Sequence, residues 1–261
     1  MMTPGARVGV VAGAALAATA LIAALPRIPQ DPAYHRFADQ RTIWGVPHGL
    51  DVWSNLAFPL VGLWGLIRIL SAPAGGPGDP FAEARERWPF AVICIGVALT
   101  GLGSAWYHAA PDNARLVWDR LPMTLVFMGM LAAVVAERIS VTAGMVLLPV
   151  FLVAGLASVA SWHASEAAGA GDLRPYVMVQ FFPALAIPLM LWLFPARYTR
   201  GGDIMVVLVI YGAAKIFEAL DGQIFAIGGV VSGHTLKHLM AALACWWLIA
   251  GTMARQPRWT S

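Results

Sequence analysis

Residues 89–108 form an uninterrupted apolar run, PFAVICIGVALTGLGSAWYH, which contains no Asp, Glu, Lys or Arg. A helix that crosses the hydrocarbon core of a bilayer needs about 20 mostly apolar residues, so this run predicts a transmembrane helix. Prolines, glycines and polar turn residues separate it from further runs of the same kind. The sequence therefore predicts eight membrane-spanning segments, at roughly 8–25, 51–70, 89–108, 115–136, 141–161, 176–195, 204–220 and 235–253.

The overall composition supports this interpretation. Of the 261 residues, 59% are hydrophobic and only 12% are charged. Soluble domains carry about 25% charged residues, which excludes an ordinary soluble globule. The net charge of +3 is spread over many loops without a basic cluster, which excludes a nucleic-acid binder. Cys94 and Cys245 lie in apolar runs and predict packed thiols. We expect an all-α, polytopic transmembrane helical bundle.

Arginines in the short loops predict the orientation. If the N-terminus is cytoplasmic and the chain crosses eight times, nine arginines fall on the cytoplasmic side and five on the other. Cytoplasmic loops carry the excess of Lys and Arg, which predicts both termini in the cytoplasm, as in a bacterial inner membrane protein. The first segment follows Arg7 as in a signal peptide, but Ala23-Ala24-Leu25 is not a clean cleavage site. We therefore expect a retained helix.

Several polar residues interrupt the apolar segments. An ionisable side chain inside a membrane helix costs several kcal/mol unless it is paired or faces a cavity, so such residues are candidates for function. The residues of this kind are Ser104, His108, Asp119, Arg120, Lys215, Glu218, His234, Lys237 and His238.

The spacing of the histidines indicates a metal site. His234 and His238 lie four residues apart on one helical face, and Ser104 precedes His108 by the same interval. The predicted topology places these residues and Asp119 at one depth, near the outer face. Three neutral imidazoles and one water form a tetrahedral catalytic zinc site. Asp119 can then act as a general acid and base, and Ser104 can hydrogen-bond the water or a developing oxyanion. The set suits hydrolysis of an amide or an ester.

Other interpretations remain open at this point. A single histidine near a membrane interface is more often a packing residue, and helical Ser often bonds its own backbone. A receptor or sensor would hold zinc structurally without turnover. His108 and His234, on different helices, are also compatible with a bis-histidine haem.

The motif residues resemble those of the alkaline ceramidase family, within the CREST superfamily of seven-helix membrane hydrolases. The pattern of that superfamily is Ser-x3-His late in the second family helix, Asp early in the third and His-x3-His in the seventh. Residues 53–58, WSNLAF, also resemble the start of the first family helix. The resemblance spans about 35–253. It implies a seven-helix domain at 35–261, preceded by an N-terminal segment, 1–34, with one extra transmembrane helix.

The resemblance also implies a function. The zinc ligands would be His108, His234 and His238, with Asp119 as the acid and base and Ser104 stabilising the oxyanion or the water. The protein would cleave the amide bond of a ceramide-like membrane lipid to a fatty acid and a sphingoid base. An acyl-ester lipid hydrolase and a zinc-containing receptor of the same superfamily remain alternatives, and the oligomeric state stays open.

Two further acidic features need an interpretation. Animal members of the family carry an acidic calcium site before the first family helix, where this chain has Asp39 and Asp51. Carboxylate oxygens suit Ca²⁺, so both are candidates for part of a calcium site, although Arg41 argues against one. The alternative is that Asp51 caps a helix. The seventh segment carries a polar strip of Lys215, Glu218 and Asp221. Lys215 and Glu218 are expected to neutralise one another within the bundle; the alternative is that the strip lines the substrate cavity.

Overall fold

The computed structural model describes residues 2–258 and consists of helices joined by short loops. No extended β-strand forms within these residues, only isolated bridges. The α-helices are α1 (Pro4–Ala24), α2 (Gly49–Trp53), α3 (Ala57–Leu70), α4 (Arg87–Ala109), α5 (Asn113–Arg138), α6 (Val141–Ala167), α7 (Arg174–Leu193), α8 (Asp203–Ala219), α9 (Asp221–Gly228) and α10 (Gly233–Ala254).

Seven helical stretches of the described chain are long and apolar enough to cross a membrane. One of them, Gly49–Leu70, combines α2 and α3 through a 3-10 turn at Ser54–Leu56. The seventh predicted segment, 204–220, forms α8, which has 17 residues and lies at the short end of the lengths that span a bilayer. The protein is a multi-pass, all-α membrane bundle, as predicted.

Side chains at the helix starts explain several boundaries. The Asp112 carboxylate accepts a hydrogen bond from the Arg115 amide at the start of α5 (2.7 Å), and the Ser232 hydroxyl accepts one from the Thr235 amide at the start of α10 (3.0 Å). Such caps satisfy amides that have no partner inside the helix. They fix where the two helices that carry Asp119 and the His-x3-His pair begin.

Glycines allow the helices around the site to pack closely. Gly103 in α4 faces the backbone carbonyl of Trp118 in α5, and Gly62 in α3 faces the backbone of α4 at Ala98. A Cβ at either glycine would overlap with that backbone. Small residues at such crossings let membrane helices approach each other. The close contact between α4 and α5 therefore lies at Gly103, five residues before His108.

The first helix lies on the outside of the bundle. No residue of α1 is buried, and its contacts are with α7. At the C-terminal end of α1, Arg174 Nη1 donates hydrogen bonds to the carbonyls of Ala23 and Leu25 (3.0 and 2.6 Å). The division into an N-terminal segment, 1–34, and a seven-helix domain, 35–261, stays a prediction.

The two ends of the bundle have different polar groups. His108, near the end of α4, and His234, near the start of α10, lie together at one end, called here the His108 end. At the opposite end Arg255 pairs with the buried Glu137 (2.9 Å) and stacks on Tyr198 (4.0 Å from guanidinium carbon to ring centroid). The functional candidates gather at the His108 end.

Candidate metal centre

Three histidine rings from two helices meet inside the bundle. His108 comes from α4, and His234 and His238 come from successive turns of α10. All three are buried, and their candidate ligand atoms lie within 4.8 Å of one another. The ring centroids are 4.6 to 4.9 Å apart. The predicted histidine grouping is therefore present, and rings this close leave no space between them for a haem macrocycle.

The nitrogens of this triad fit a shared metal ion. His108 Nε2 and His234 Nε2 are 3.2 Å apart. Two nitrogens bound tetrahedrally to one zinc ion at about 2.0–2.1 Å lie about 3.3 Å from each other. His238 Nε2 and His108 Nδ1 are buried and have no hydrogen-bond partner within the described chain. Three neutral imidazoles are a donor set that zinc favours, so the residues present fit this metal.

Ser54 sets the tautomer of His238. The Ser54 hydroxyl donates to the carbonyl of Asp51 (3.1 Å) and lies 2.8 Å from His238 Nδ1. Because its one proton is used on the carbonyl, Ser54 accepts the Nδ1–H, which leaves the Nε2 lone pair of His238 free for a metal. Ser54 is not among the residues that the sequence motif predicts for the site; its only signal in the sequence is its place in the WSNLAF stretch.

Ser104 and Asp119 lie at the wall of the same cavity as His238. Both side chains are buried, and the Ser104 hydroxyl lies beside the Asp119 carboxylate. Ser104 is one turn before His108 in α4, and Asp119 is about two turns into α5. The structure thus brings the two predicted catalytic residues to the end of the bundle that carries the triad.

The loop at 26–48 covers the triad, which the sequence analysis did not predict. The buried Phe37 ring packs against His108 and His234, with centroids 4.5 and 4.7 Å away. His35 Nδ1 lies 2.9 Å from the Tyr107 hydroxyl, and His35 Nε2 lies 2.9 Å from the side-chain amide oxygen of Asn113. These contacts separate the triad from the aqueous side of the His108 end.

Asp39 and Asp51 have different partners in the structure, and calcium binding by either residue stays a prediction. Within residues 2–258, the histidine triad is the only group of three or more His, Cys, Asp or Glu side chains arranged to hold an ion. Asp39 pairs with Arg41 (2.6 Å), which also donates to the carbonyls of Gly229 and Val230. This hydrogen-bonded guanidinium lowers the pKa of the Asp39 carboxyl below its ordinary value. Arg41 is the cation that this carboxylate binds.

Asp51 has a different structural role. It lies inside the first turn of α2 rather than at its cap, and its Oδ1 accepts hydrogen bonds from Ser232 (2.9 Å) and Thr235 (2.6 Å). These bonds join the start of α2 to the start of α10. The candidate calcium residues thus connect the elements around the triad.

Lys215 and Glu218 form the predicted ion pair, and a second lysine joins it. The Glu218 carboxylate binds Lys215 through one oxygen and Lys237 through the other, the latter at 2.7 Å. All three residues also line the cavity, so the two interpretations of this strip are compatible. Asp221 is not part of it, because it begins α9 and accepts hydrogen bonds from the Ala38 and His234 amides.

One cavity connects these polar groups with the apolar interior. Its volume is about 300 Å³, and its polar wall at the His108 end includes Ser104, Asp119, Glu218 and His238. Further along α5 the wall is apolar as far as Met130, eleven residues beyond Asp119, or about 16 Å along the helix axis. The cavity is therefore amphiphilic, with a polar head and an apolar tail.

The chain was compared with known proteins. No model of a known protein family matches it, and no curated protein matches it in a sequence search. The resemblance to the alkaline ceramidases therefore depends on the motif residues alone and stays a prediction.

Proposed function

We propose that the protein is a zinc-dependent intramembrane hydrolase that cleaves the amide bond of a ceramide-like lipid to a fatty acid and an amine. The observation that supports this most is the buried convergence of His108, His234 and His238 beside the polar end of an amphiphilic cavity. Asp119 and Ser104 lie on the wall of that cavity. This position suits Asp119 as the general acid and base of hydrolysis and Ser104 as a hydrogen-bond donor.

In the proposed reaction, His108, His234 and His238 would hold the zinc ion, which would supply a Lewis acid and an activated water. Asp119 takes one proton as the water oxygen bonds to the amide carbon. Asp119 then returns that proton to the nitrogen as the carbon–nitrogen bond breaks, releasing a fatty acid and an amine. Ser104 donates a hydrogen bond to the oxyanion that develops on the carbonyl oxygen. Ser54 holds His238 in the ligating tautomer, and Phe37 excludes bulk water.

The cavity suits a lipid that enters from the bilayer. Its apolar part accepts an acyl chain, and its polar part accepts the amide and the headgroup. Because loop 26–48 covers the triad, we propose a lateral route between helices. We also propose that both termini are cytoplasmic, in a bacterial inner membrane, with the zinc site near the outer face; the distribution of arginines supports this.

The first test is the metal content of the detergent-purified protein by elemental mass spectrometry. We expect about one zinc per chain, retained in His163→Ala and lost in His238→Ala. His163 is a matched control because it is an exposed histidine of another helix, α6. An absence of zinc after purification without chelators would contradict the proposal.

The second test is fatty-acid release from ceramide and from a matched acyl ester. Asp119→Asn should retain zinc and lose about 10²- to 10⁴-fold in hydrolysis of the amide. Faster cleavage of the ester would indicate the ester-hydrolase alternative. One zinc per chain with no turnover of any acyl amide or ester, neutral or anionic, would indicate a receptor or sensor.

A further inference from the structure

The polar end of the cavity carries an excess of positive charge. Three cations line it, Arg120, Lys215 and Lys237, against two carboxylates, Asp119 and Glu218. Both lysines bind the Glu218 carboxylate, so they share one negative charge. A cavity that holds more cations than anions inside a membrane bundle favours a ligand with a negative charge.

Arg120 is the cation of this group that lacks a carboxylate partner. Its side chain is only 5% exposed, and its Nη2 donates to the neutral Gln30 side chain (2.7 Å). Its Nη1 is buried without a hydrogen-bond partner, and Arg120 forms no ion pair with any residue between 2 and 258. An uncompensated buried charge is costly, so a bound anion would stabilise this arrangement.

Aromatic rings hold the Arg120 guanidinium in place. The rings of Trp162, Tyr176 and Tyr34 have their centroids 4.4, 4.8 and 5.5 Å from its central carbon. Stacked rings fix the plane of a guanidinium and leave its edge N–H groups for hydrogen bonding. Tyr34 and Tyr176 also line the cavity, so the stacked guanidinium lies at the cavity wall.

A second buried arginine, Arg255, has a structural role and serves as a comparison for Arg120. Arg255, at the opposite end of the bundle, is 6% exposed and stacks on Tyr198, as Arg120 stacks on its rings. Arg255 binds the Glu137 carboxylate at 2.9 Å. Arg120 and Arg255 are buried to a similar extent, and both stack on aromatic rings. Within the described residues, only Arg255 has a carboxylate partner.

We propose that Arg120 binds an oxyanion of the substrate, so that the hydrolysed lipid carries a carboxylate or a phosphate on its headgroup. This inference rests on the proposed function and names its substrate class. A guanidinium matches both anions because its N–H groups form charge-assisted hydrogen bonds with paired oxygens. Lys215 and Lys237 supply further positive charge around the same headgroup.

The test measures binding of non-hydrolysable amphiphiles to the purified full chain by isothermal titration calorimetry. The probes are dodecyl phosphate, dodecanoate and dodecan-1-ol, which share one chain length and differ in the headgroup. For each probe, the affinity of a variant is compared with that of the wild type. The partitioning of the probe into detergent micelles is the same in both measurements and cancels in the ratio of the two affinities. The variants are Arg120→Gln, Arg120→Lys and the control Arg115→Gln. Arg115 precedes Arg120 in α5 and stacks on the exposed Trp106 outside the cavity.

We expect Arg120→Gln to weaken binding of the anionic probes by about 10- to 100-fold and to leave dodecan-1-ol unchanged. Arg120→Lys should keep part of the preference for anions, and Arg115→Gln should behave as wild type. The anion that loses more affinity identifies the headgroup as a phosphate or a carboxylate. Equal weakening of all three probes would overturn the proposal, because Arg120 would then be structural.

Wild-type protein gives a second measurement if Arg120→Gln does not fold. Equal affinity for dodecan-1-ol and for both anionic probes, after correction for the partitioning of each probe into protein-free micelles, would overturn the proposal without any variant. The binding result is also independent of turnover. The hydrolysis substrates are N-dodecanoylglycine and its neutral counterpart N-dodecanoylethanolamine. If anion binding depends on Arg120 but neither substrate is hydrolysed, the anion site is supported and the proposed hydrolase function is rejected. Preferred hydrolysis of N-dodecanoylglycine would support both.

Discussion

Ser54 Oγ lies 2.8 Å from Nδ1 of His238, across 184 residues of sequence. The contact joins the 3-10 turn between α2 and α3 to the second turn of α10. It leaves the other ring nitrogen of His238 without a protein partner, among the nitrogens of His108 and His234. A serine outside the predicted motif therefore decides how one metal ligand is presented.

Ser54→Ala should weaken metal binding about 10- to 100-fold, because the imidazole loses the acceptor that orients it. The measurement is a zinc titration of purified protein against a competing chelator. Ser71→Ala is the matched control, since the hydroxyl of that exposed serine bonds only carbonyls of its own helix. Unchanged zinc affinity in Ser54→Ala would show that packing alone orients His238.

Gly103→Ala should lower the free energy of unfolding by about 1–3 kcal/mol, because the added methyl group would overlap with the Trp118 carbonyl. The α4–α5 crossing would then open near His108. Thermal unfolding in detergent measures the change. Gly212→Ala in α8 is the control, since nothing lies within 4 Å of its Cβ position. We expect this control to be neutral or more stable; equal losses in both variants would contradict the close-packing argument.

Acid should release the loop that covers the triad. The pKa of Asp39 is held below its ordinary value of 3.8 by the hydrogen-bonded Arg41 guanidinium, with a smaller contribution from His48. A lowered folded-state pKa stabilises the loop at pH values above the ordinary one, and this contribution is lost as the pH falls below it. Hydrogen-exchange protection of residues 26–48 should therefore fall below about pH 4, as Asp39 is protonated.

The matched variants for this experiment are Asp39→Asn and Asp31→Asn. Asp39→Asn should reduce the protection at neutral pH and remove its dependence on acid, because the ionisable partner of Arg41 is gone. Asp31 belongs to the same loop and accepts a hydrogen bond from the Ala33 amide (2.8 Å), so its variant tests the loop without touching the ion pair. Identical pH profiles for wild type and Asp39→Asn would exclude this carboxylate as the acid-sensitive group.

Ala244→Phe should shorten the acyl chain that the protein accepts. Ala244 is buried and lines the cavity, whereas its neighbour Leu243 is 41% exposed on the outside of α10. A phenyl ring at position 244 would fill part of the apolar tail, so hydrolysis of long-chain substrates should fall relative to short-chain ones. Leu243→Phe should leave this ratio unchanged. A long-to-short ratio that changes equally in both variants would place the acyl chain elsewhere.

Part of the candidate site was predictable from local spacing. His234 and His238 share a helical face because residues four apart do so in any α-helix, and Asp119 follows His108 across one tight turn. Ser54 and Phe37 were not predictable in this way. Their roles depend on contacts between segments that are distant in sequence, which periodicity does not encode.

The sequence by itself determined the class of the protein and the position of its helices. Apolar runs of bilayer length and a small share of charged residues leave a membrane-spanning helical bundle as the consistent solution, because backbone polar groups must be satisfied within each helix. Only the tertiary structure decided which polar groups meet. His108 reaches His234 across 126 residues, Asp39 binds Arg41 instead of a cluster of carboxylates, and Arg120 lies among aromatic rings without an acidic partner between residues 2 and 258. These outcomes depend on helix packing, which places side chains by contacts between different helices rather than by spacing along one of them.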